Sequence, residues 1–208
     1  MYEFIADLDA YFCEKYAGYD KLSVLPGYKM PLMQASETDE FGRTRTYTLP
    51  ADTMRLATQE KKDELLKELK TRMVDTTYTF SFKPIGFFSR MKNNFSKNGF
   101  HKVLKKLLEK YDFSDADALE SLNVDEEIWR GIRKNKFLPT KNLIFSLAIA
   151  AHVSMRDTLA ILTLCGYEMD YAIVKDVVMS YLLDQKVFNP GMVEAALTEY
   201  KVTNLYLK

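Results

Sequence analysis

Apolar residues recur along the chain at two periods, and the change between them divides it. Phe4, Ile5, Leu8, Tyr11 and Phe12 fall at helical spacing over residues 2–17, with Gly18 placed as a C-terminal stop. Residues 18–57 carry Pro26, Gly27, Pro31, Gly42 and Pro50. Two segments there, 28–34 and the β-leaning 43–49, flank residues 35–42 in the manner of a long-looped hairpin. Thr58 can cap a helix running to Met73, in which Leu65, Leu66, Leu69 and Met73 form one stripe against a charged face. Tyr78, Phe80 and Phe82 then alternate with Thr77, Thr79 and Ser81, the period of a half-buried strand that completes a small antiparallel sheet.

From Phe87 onward the period is helical. A break at Asn98-Gly99 precedes an amphipathic segment with Phe100, Val103, Leu104, Leu107, Leu108 and Tyr111 on one face and Lys102, Lys105, Lys106 and Lys110 largely on the other. Ser114 with Asp117 forms a capping-box pattern, Asp125 and Thr140 cap the next two helices, and Ser154 with Asp157 opens another that ends at Gly166. Asp170 begins a longer helix bearing Ile173, Val174, Val177, Val178, Tyr181 and Leu182. Asn189-Pro190 begins the last, with Val193, Ala196, Leu197 and Tyr200 inward. The closing Leu205-Tyr206-Leu207 is apolar enough to dock. The fold class is therefore mainly α and α+β overall: a small N-terminal α+β region with a short antiparallel sheet over residues 1–95, then an all-α domain with extra C-terminal helices over 96–208. No flexible linker divides Phe82 from Phe100, so one core is expected to span both parts.

Composition places the chain among ordinary globular proteins, with 47% hydrophobic and 28% charged residues over 208 positions, enough for one large domain or two small ones. Cys13 and Cys165 sit inside apolar helical patterns and form no CxxC, which points to buried free thiols in a reducing compartment. No apolar run approaches the roughly 20 residues that span a bilayer, and Met1 opens into an amphipathic helix rather than a leader, so the expectation is a cytoplasmic protein with no membrane partner. The formal net charge is zero but unevenly spread. Residues 83–110 hold eight bases against Glu109 alone, residues 1–20 five acids against Lys15, and residues 143–200 seven acids against three bases. That polarity suits either an anionic partner or contacts between basic and acidic stretches inside the fold.

Catalytic patterns are not found. His101 and His152 have no cysteine or aspartate at a diagnostic spacing, so neither a triad nor a metal site follows. The chain has no phosphate loop, GxGxxG or GxSxG, and no cofactor is implied. Asp7 and Asp9 are two apart on one helix and point to different faces. Ser36, Glu37, Thr38, Asp39 and Glu40, followed by Arg43 and Arg45, read as an exposed charged loop. Trp129, between Ile128 and Ile132 on the inner side of a helix, reads as core.

One span carries a fold signature. Ala118, Leu119 and Leu122 offer a first helix to a second bearing Ile128, Trp129 and Ile132; Asn123 supplies a residue tolerant of left-handed dihedrals, and Val124 follows at once. Phe137-Leu138-Pro139-Thr140 leads into a packing helix with Leu143, Ile144, Leu147 and Ala148. Residues 100–153 resemble the five-helix λ-repressor-like domain of phage and xenobiotic-response-type repressors. More narrowly, Pro139-Thr140-Lys141-Asn142, Leu147-Ala148-Ile149-Ala150, Cys165-Gly166-Tyr167, the helix to Asp184 and Ala195-Ala196-Leu197 resemble an uncharacterised variant of that domain common in clostridial proteins, over about residues 96–200.

The resemblance implies a non-enzymatic helix-turn-helix protein of the transcription-regulator kind, associated with double-stranded DNA. Its second helix would enter the major groove with Glu126, Glu127, Arg130 and Gly131 toward the bases. Arg133, Lys134, Lys136, Thr140 and Lys141 would hold phosphates. Two departures qualify it. Asp125, Glu126 and Glu127 would meet a polyanion, so DNA binding is expected to be weak and salt-sensitive, and Leu119 stands where such repressors hold a small residue. The alternative expectation is an adaptor for a protein partner that keeps the helix-turn-helix fold without binding DNA.

Overall fold

In a computed structural model, residues 2–18, 34–38, 42–48, 62–75, 77, 81–95 and 99–208 are described. Helix α1 (Tyr2–Lys15) buries Phe4, Leu8, Phe12 and Cys13, the stripe its spacing predicts. It stops two residues before the expected Ala17, and Gly18 is no left-handed stop. Gly18 serves a close approach instead, since a Cβ there would lie 2.3 Å from the Tyr16 hydroxyl. Strands β1 (Gln34–Thr38) and β2 (Thr44–Thr48) pair antiparallel, with Gln34 opposite Thr48 and Thr38 opposite Thr44. The hairpin forms, but its first strand occupies the segment expected to be its loop. Ser36 and Thr38 face Thr46 and Thr44 across the ladder, and the Thr38 and Thr44 hydroxyls are 3.2 Å apart, so cross-strand pairing continues toward the turn. Residues 28–33 lie outside the described residues.

Helix α2 (Lys62–Arg72) buries Leu65, Leu66 and Leu69, with Met73 buried just beyond; Thr58 lies outside the described residues. Of the strand expected from Thr77 to Phe82, Thr77, Ser81 and Phe82 are not in a strand, and residues 78–80 lie outside the described residues. The pairing nearby is the two-residue β3 (Lys83–Pro84) on β4 (Phe137–Leu138), with Lys83 opposite Leu138. Helices α3 (Phe87–Phe95), α4 (Phe100–Lys110), α5 (Asp115–Ser121), α6 (Glu126–Arg133), α7 (Lys141–Ala150), α8 (Met155–Leu164), α9 (Val174–Asp184) and α10 (Pro190–Glu199) complete a mainly helical protein.

The predicted caps mostly form. Ser114 and Asp117 make both bonds of the capping box, Thr140 accepts from the Leu143 amide at 3.2 Å, and Asn189 caps α10 with Pro190 in its first turn. Asp125 occupies the N-cap of α6 without a side-chain capping bond. Asp170 does not start α9. Its amide donates to Asp176 Oδ2 at 2.7 Å and its carbonyl accepts from Ile173, so residues 170–173 turn and the helix begins at Val174. Helices α4, α6, α7, α8, α9 and α10 all stop in one way. In α9, the Val187 amide donates to the Leu182 carbonyl and the Lys186 amide to that of Leu183, around a left-handed residue. That residue is a glycine only at Gly166; elsewhere it is Asp112, Asn135, His152, Lys186 and Lys201, with φ between 49° and 58°.

A single cluster of buried side chains runs from Phe4 to Tyr206. Phe12 packs on Tyr200 with centroids 4.7 Å apart, Tyr11 meets Tyr181 edge-on at 5.4 Å, and the Tyr11 hydroxyl is 2.7 Å from Ser180 Oγ, so α1 is part of the C-terminal helical core. Acidic α1 has its ion pair with α2 outside residues 83–110. Its Asp9 bonds Lys70 at 2.6 Å and accepts from the Tyr200 hydroxyl at 2.7 Å. From the basic stretch, Lys110 pairs with Asp157.

A buried polar seam closes the molecule. Lys175 Nζ lies 2.6 Å from Asp75 Oδ2 and donates to the Asn204 carbonyl, while Asp75 Oδ1 accepts from the amide and hydroxyl of Thr77. Asn142 Nδ2 donates to the carbonyls of Thr77 and Asn204. Burial alone would raise the Asp75 pKa, but the Lys175 and Thr77 hydrogen bonds outweigh it and hold the carboxyl below its ordinary value.

Candidate functional site

Helix α6 has two unlike sides. Inward, Trp129, Gly131 and Ile132 are buried, and Trp129 Nε1 donates to Asp115 Oδ1 at 2.9 Å, tying α6 to the start of α5. Gly131, expected to face bases, faces inward: a Cβ there would lie 2.4 Å from the Phe137 ring. The turn between α5 and α6 is also not closed as expected, because Asn123 keeps a negative φ. Leu122 bridges to Leu207, the Asn123 amide donates to the Tyr206 carbonyl at 2.7 Å, and the Tyr206 amide donates to Ser146 Oγ. The final apolar residues thus dock as a strand-like strap, whose hydrogen bonds favour an extended backbone at Leu122 and Asn123.

Outward, Glu126, Glu127, Arg130, Lys134 and Lys136 are exposed, and Glu126 is ion-paired with Arg130 one turn on. Arg130, Lys134 and Lys136, with Glu127, Ile128 and Phe137, line a shallow depression of about 460 Å³. A second, of about 400 Å³, opens between α4 and α6, where Lys102, Lys105 and Lys134 stand beside Asp115 and the edge of Leu119. Burial, with Lys102 adding to it, lowers the His101 pKa there, so its ring is neutral at pH 7 and the local positive charge comes from lysine and arginine.

The other expected phosphate ligands are engaged internally. Arg133 is half-buried with Nε 2.8 Å from Asp115 Oδ1. Thr140 is buried, and its hydroxyl caps α7. Lys141 turns toward α9, pairing with Asp176 and donating to the Glu168 carbonyl at 2.6 Å. A phosphate approaching the start of α7 would have to compete with the Asp176 carboxylate for that ammonium.

Sequence reasoning missed what flanks α6. Through the β3–β4 pairing, an Ile85 amide bond to the Lys136 carbonyl at 2.8 Å, and an Asn135 Nδ2 bond to the Arg90 carbonyl at 3.4 Å, residues 83–90 lie along the segment that follows α6. Helix α3 there exposes Phe87, Phe88 and Met91 at 67%, 84% and 45%. The signal in the sequence was the apolar Phe87, Phe88 and Met91 at helical spacing, whose direction depends on a tertiary neighbour two residues long.

Cys13 and Cys165 are buried free thiols that burial pushes up to about 11 and about 12, so neither is a nucleophile at neutral pH. Among the described residues no group of histidine, cysteine, aspartate and glutamate could hold a metal ion, and no helix is long and apolar enough to cross a membrane. No protein-family model, curated protein or solved structure matches the chain.

Proposed function

We infer that this is a non-enzymatic, cytoplasmic interaction protein that uses a λ-repressor-like helix-turn-helix fold to dock another protein. The docking surface is the outer face of α6 together with α3. One observation carries this reading. Three of the five cations suited to phosphates are paired with carboxylates of the same molecule, at Glu126–Arg130, Asp115–Arg133 and Asp176–Lys141, while apolar Phe87, Phe88 and Met91 stand in solvent on the helix that follows β3, whose partner β4 comes just after α6. Exposed large apolar groups next to mixed charges suit a protein surface; a DNA-facing helix needs unpaired positive charge and no apolar helix alongside.

A second reading, weak association with duplex DNA, is favoured by exposed Lys134 and Lys136 beside Arg130. Fluorescence anisotropy against random duplex at low salt separates the two. If a protein is the partner, neither wild type nor the Glu126→Gln/Glu127→Gln double variant binds duplex, and the glutamine pair and Phe88→Ser both lose the partner in affinity capture. If DNA is the ligand, removing the two acids tightens binding and leaves a steep salt dependence.

A further inference from the structure

A second surface lies away from α6, where the ends of α5 and α7 meet α10 and the last residues of the chain. They enclose a cleft of about 590 Å³, within the range of sites that bury a ligand or an inserted side chain. Its floor is apolar, with Ile149 and Val193 buried and Leu207 half-buried. One wall is the His152 ring stacked on Phe188, centroids 4.6 Å apart and 13° between planes. Glu120 and Glu194 stand exposed at its edge, and Lys208, also at the edge, gives its ammonium to the Leu119 carbonyl. An apolar floor with an aromatic wall and carboxylates at the rim fits a group that is apolar at its tip and cationic at its flank.

This chain holds a helix that is apolar where exposed and basic in sequence. Helix α3 presents Phe88, the most exposed phenylalanine of the described residues, with Phe87 and Met91 beside it. Its sequence, Phe87 to Phe95, holds Arg90 and Lys92 and no acid. The two surfaces share no residue, so neither is used up when the other is filled.

We propose that α3 of one molecule docks in the α10 cleft of a second copy, so that the chain associates head to tail. This deepens the interaction reading by naming a partner for α3, and rests on it to that extent. The contact joins unlike surfaces, so it does not close on itself at two molecules and propagates as concentration rises. Zero formal net charge leaves little overall repulsion to oppose it near neutral pH. A few side chains in a cleft bury less than the roughly 1,200 Å² of a standard interface, so the association is weak and reversible, with a dissociation constant of about 10 μM or higher.

Sedimentation velocity of the full chain tests this, with one variant for each surface. Phe88→Asp removes the apolar tip, and Glu120→Lys/Glu194→Lys reverses the rim; all three positions are exposed, and thermal unfolding checks that each variant is folded. Wild type should gain average mass with concentration and continue past the dimer. Each variant alone should associate at least tenfold more weakly. Mixed one to one, the two variants should form a dimer that grows no further, because between them they hold one intact helix and one intact cleft. Wild type that stays monomeric up to about 1 mM would overturn the proposal. So would variants that associate like wild type, or a mixture no heavier than its parts. Capture by the wild-type cleft of an unrelated basic amphipathic peptide, with no self-association, would assign the cleft to another protein. No DNA and no other protein is present, so the outcome is independent of whether α6 binds either.

Discussion

At the seam, Lys175 and Asp75 side chains are 1% and 3% exposed and 2.6 Å apart; on α6, the paired Arg130 and Glu126 keep more than half of each side chain in solvent. The chemistry is the same and the consequence differs. Desolvated charges must satisfy one another, and here they do so with Thr77, Asn142 and Asn204 completing the network, so the seam fixes how the segment after α2 meets α7 and α9. An exposed pair contributes little to stability, and what it sets is the charge a visitor meets. Burial, not residue type, thus separates the ion pair that fastens the fold from the one that lies on the surface.

The sharpest way to break that comparison is to remove one seam partner. Lys175→Met should lower stability by about 3–5 kcal/mol in chemical denaturation, because Asp75 is left buried and charged. Adding Asp75→Asn should recover more than half of the loss. The pH dependence has a definite sign. The depressed Asp75 pKa gives the wild type stability that is complete above the ordinary carboxylate range near pH 4 and lost as pH falls through the folded value. Without Lys175 that carboxyl is pushed up instead, so the deficit of the variant should shrink in acid.

The inner side of α6 belongs with the seam. Trp129→Ala should cost about 3–5 kcal/mol, since the indole is buried and its truncation leaves a cavity and strips Asp115 of a donor. A loss under roughly 1 kcal/mol in the same titration would mean that the ring is a surface contact. Smaller, and of opposite sign, Lys186→Gly should stabilise by about 1 kcal/mol or less, because an exposed lysine holds φ 54° at the stop of α9 where glycine has no steric penalty. Smallest, Arg130→Ala should change stability by less than about 0.5 kcal/mol. A loss above that would place the α6 face among the fastening elements and erase the distinction.

The sequence made the helices legible where side chains announce their own ends, as at Ser114, Thr140, Ser154 and Asn189. It hid the stops at Asp112, Asn135, His152, Lys186 and Lys201, because the left-handed residue there is imposed by the backbone bonds around it and not by glycine. The apolar stripe that placed Trp129 and Ile132 inside was a local property and held. The partners of Lys141 and Arg133 were not local. Asp176 is thirty-five residues from Lys141, and no periodicity indicates that a lysine at a helix start will turn to a carboxylate on another helix. Two-residue strands are likewise below what alternation can reveal, so the placement of β3 and the start of α3 on the segment after α6 could not be read in advance.

On the proposed reading, the face of α6 takes a protein and not DNA. Anisotropy of a labelled random duplex titrated at about 50 mM salt with wild type and with Glu126→Gln/Glu127→Gln tests it directly, since counterion release makes any phosphate-driven binding strongest there. If α6 takes a protein, neither wild type nor the variant binds the duplex. Binding by the glutamine variant that is tighter than wild type and fades steeply with added salt would contradict it, and would make Arg130, Lys134 and Lys136 a nucleic-acid surface held in check by two carboxylates.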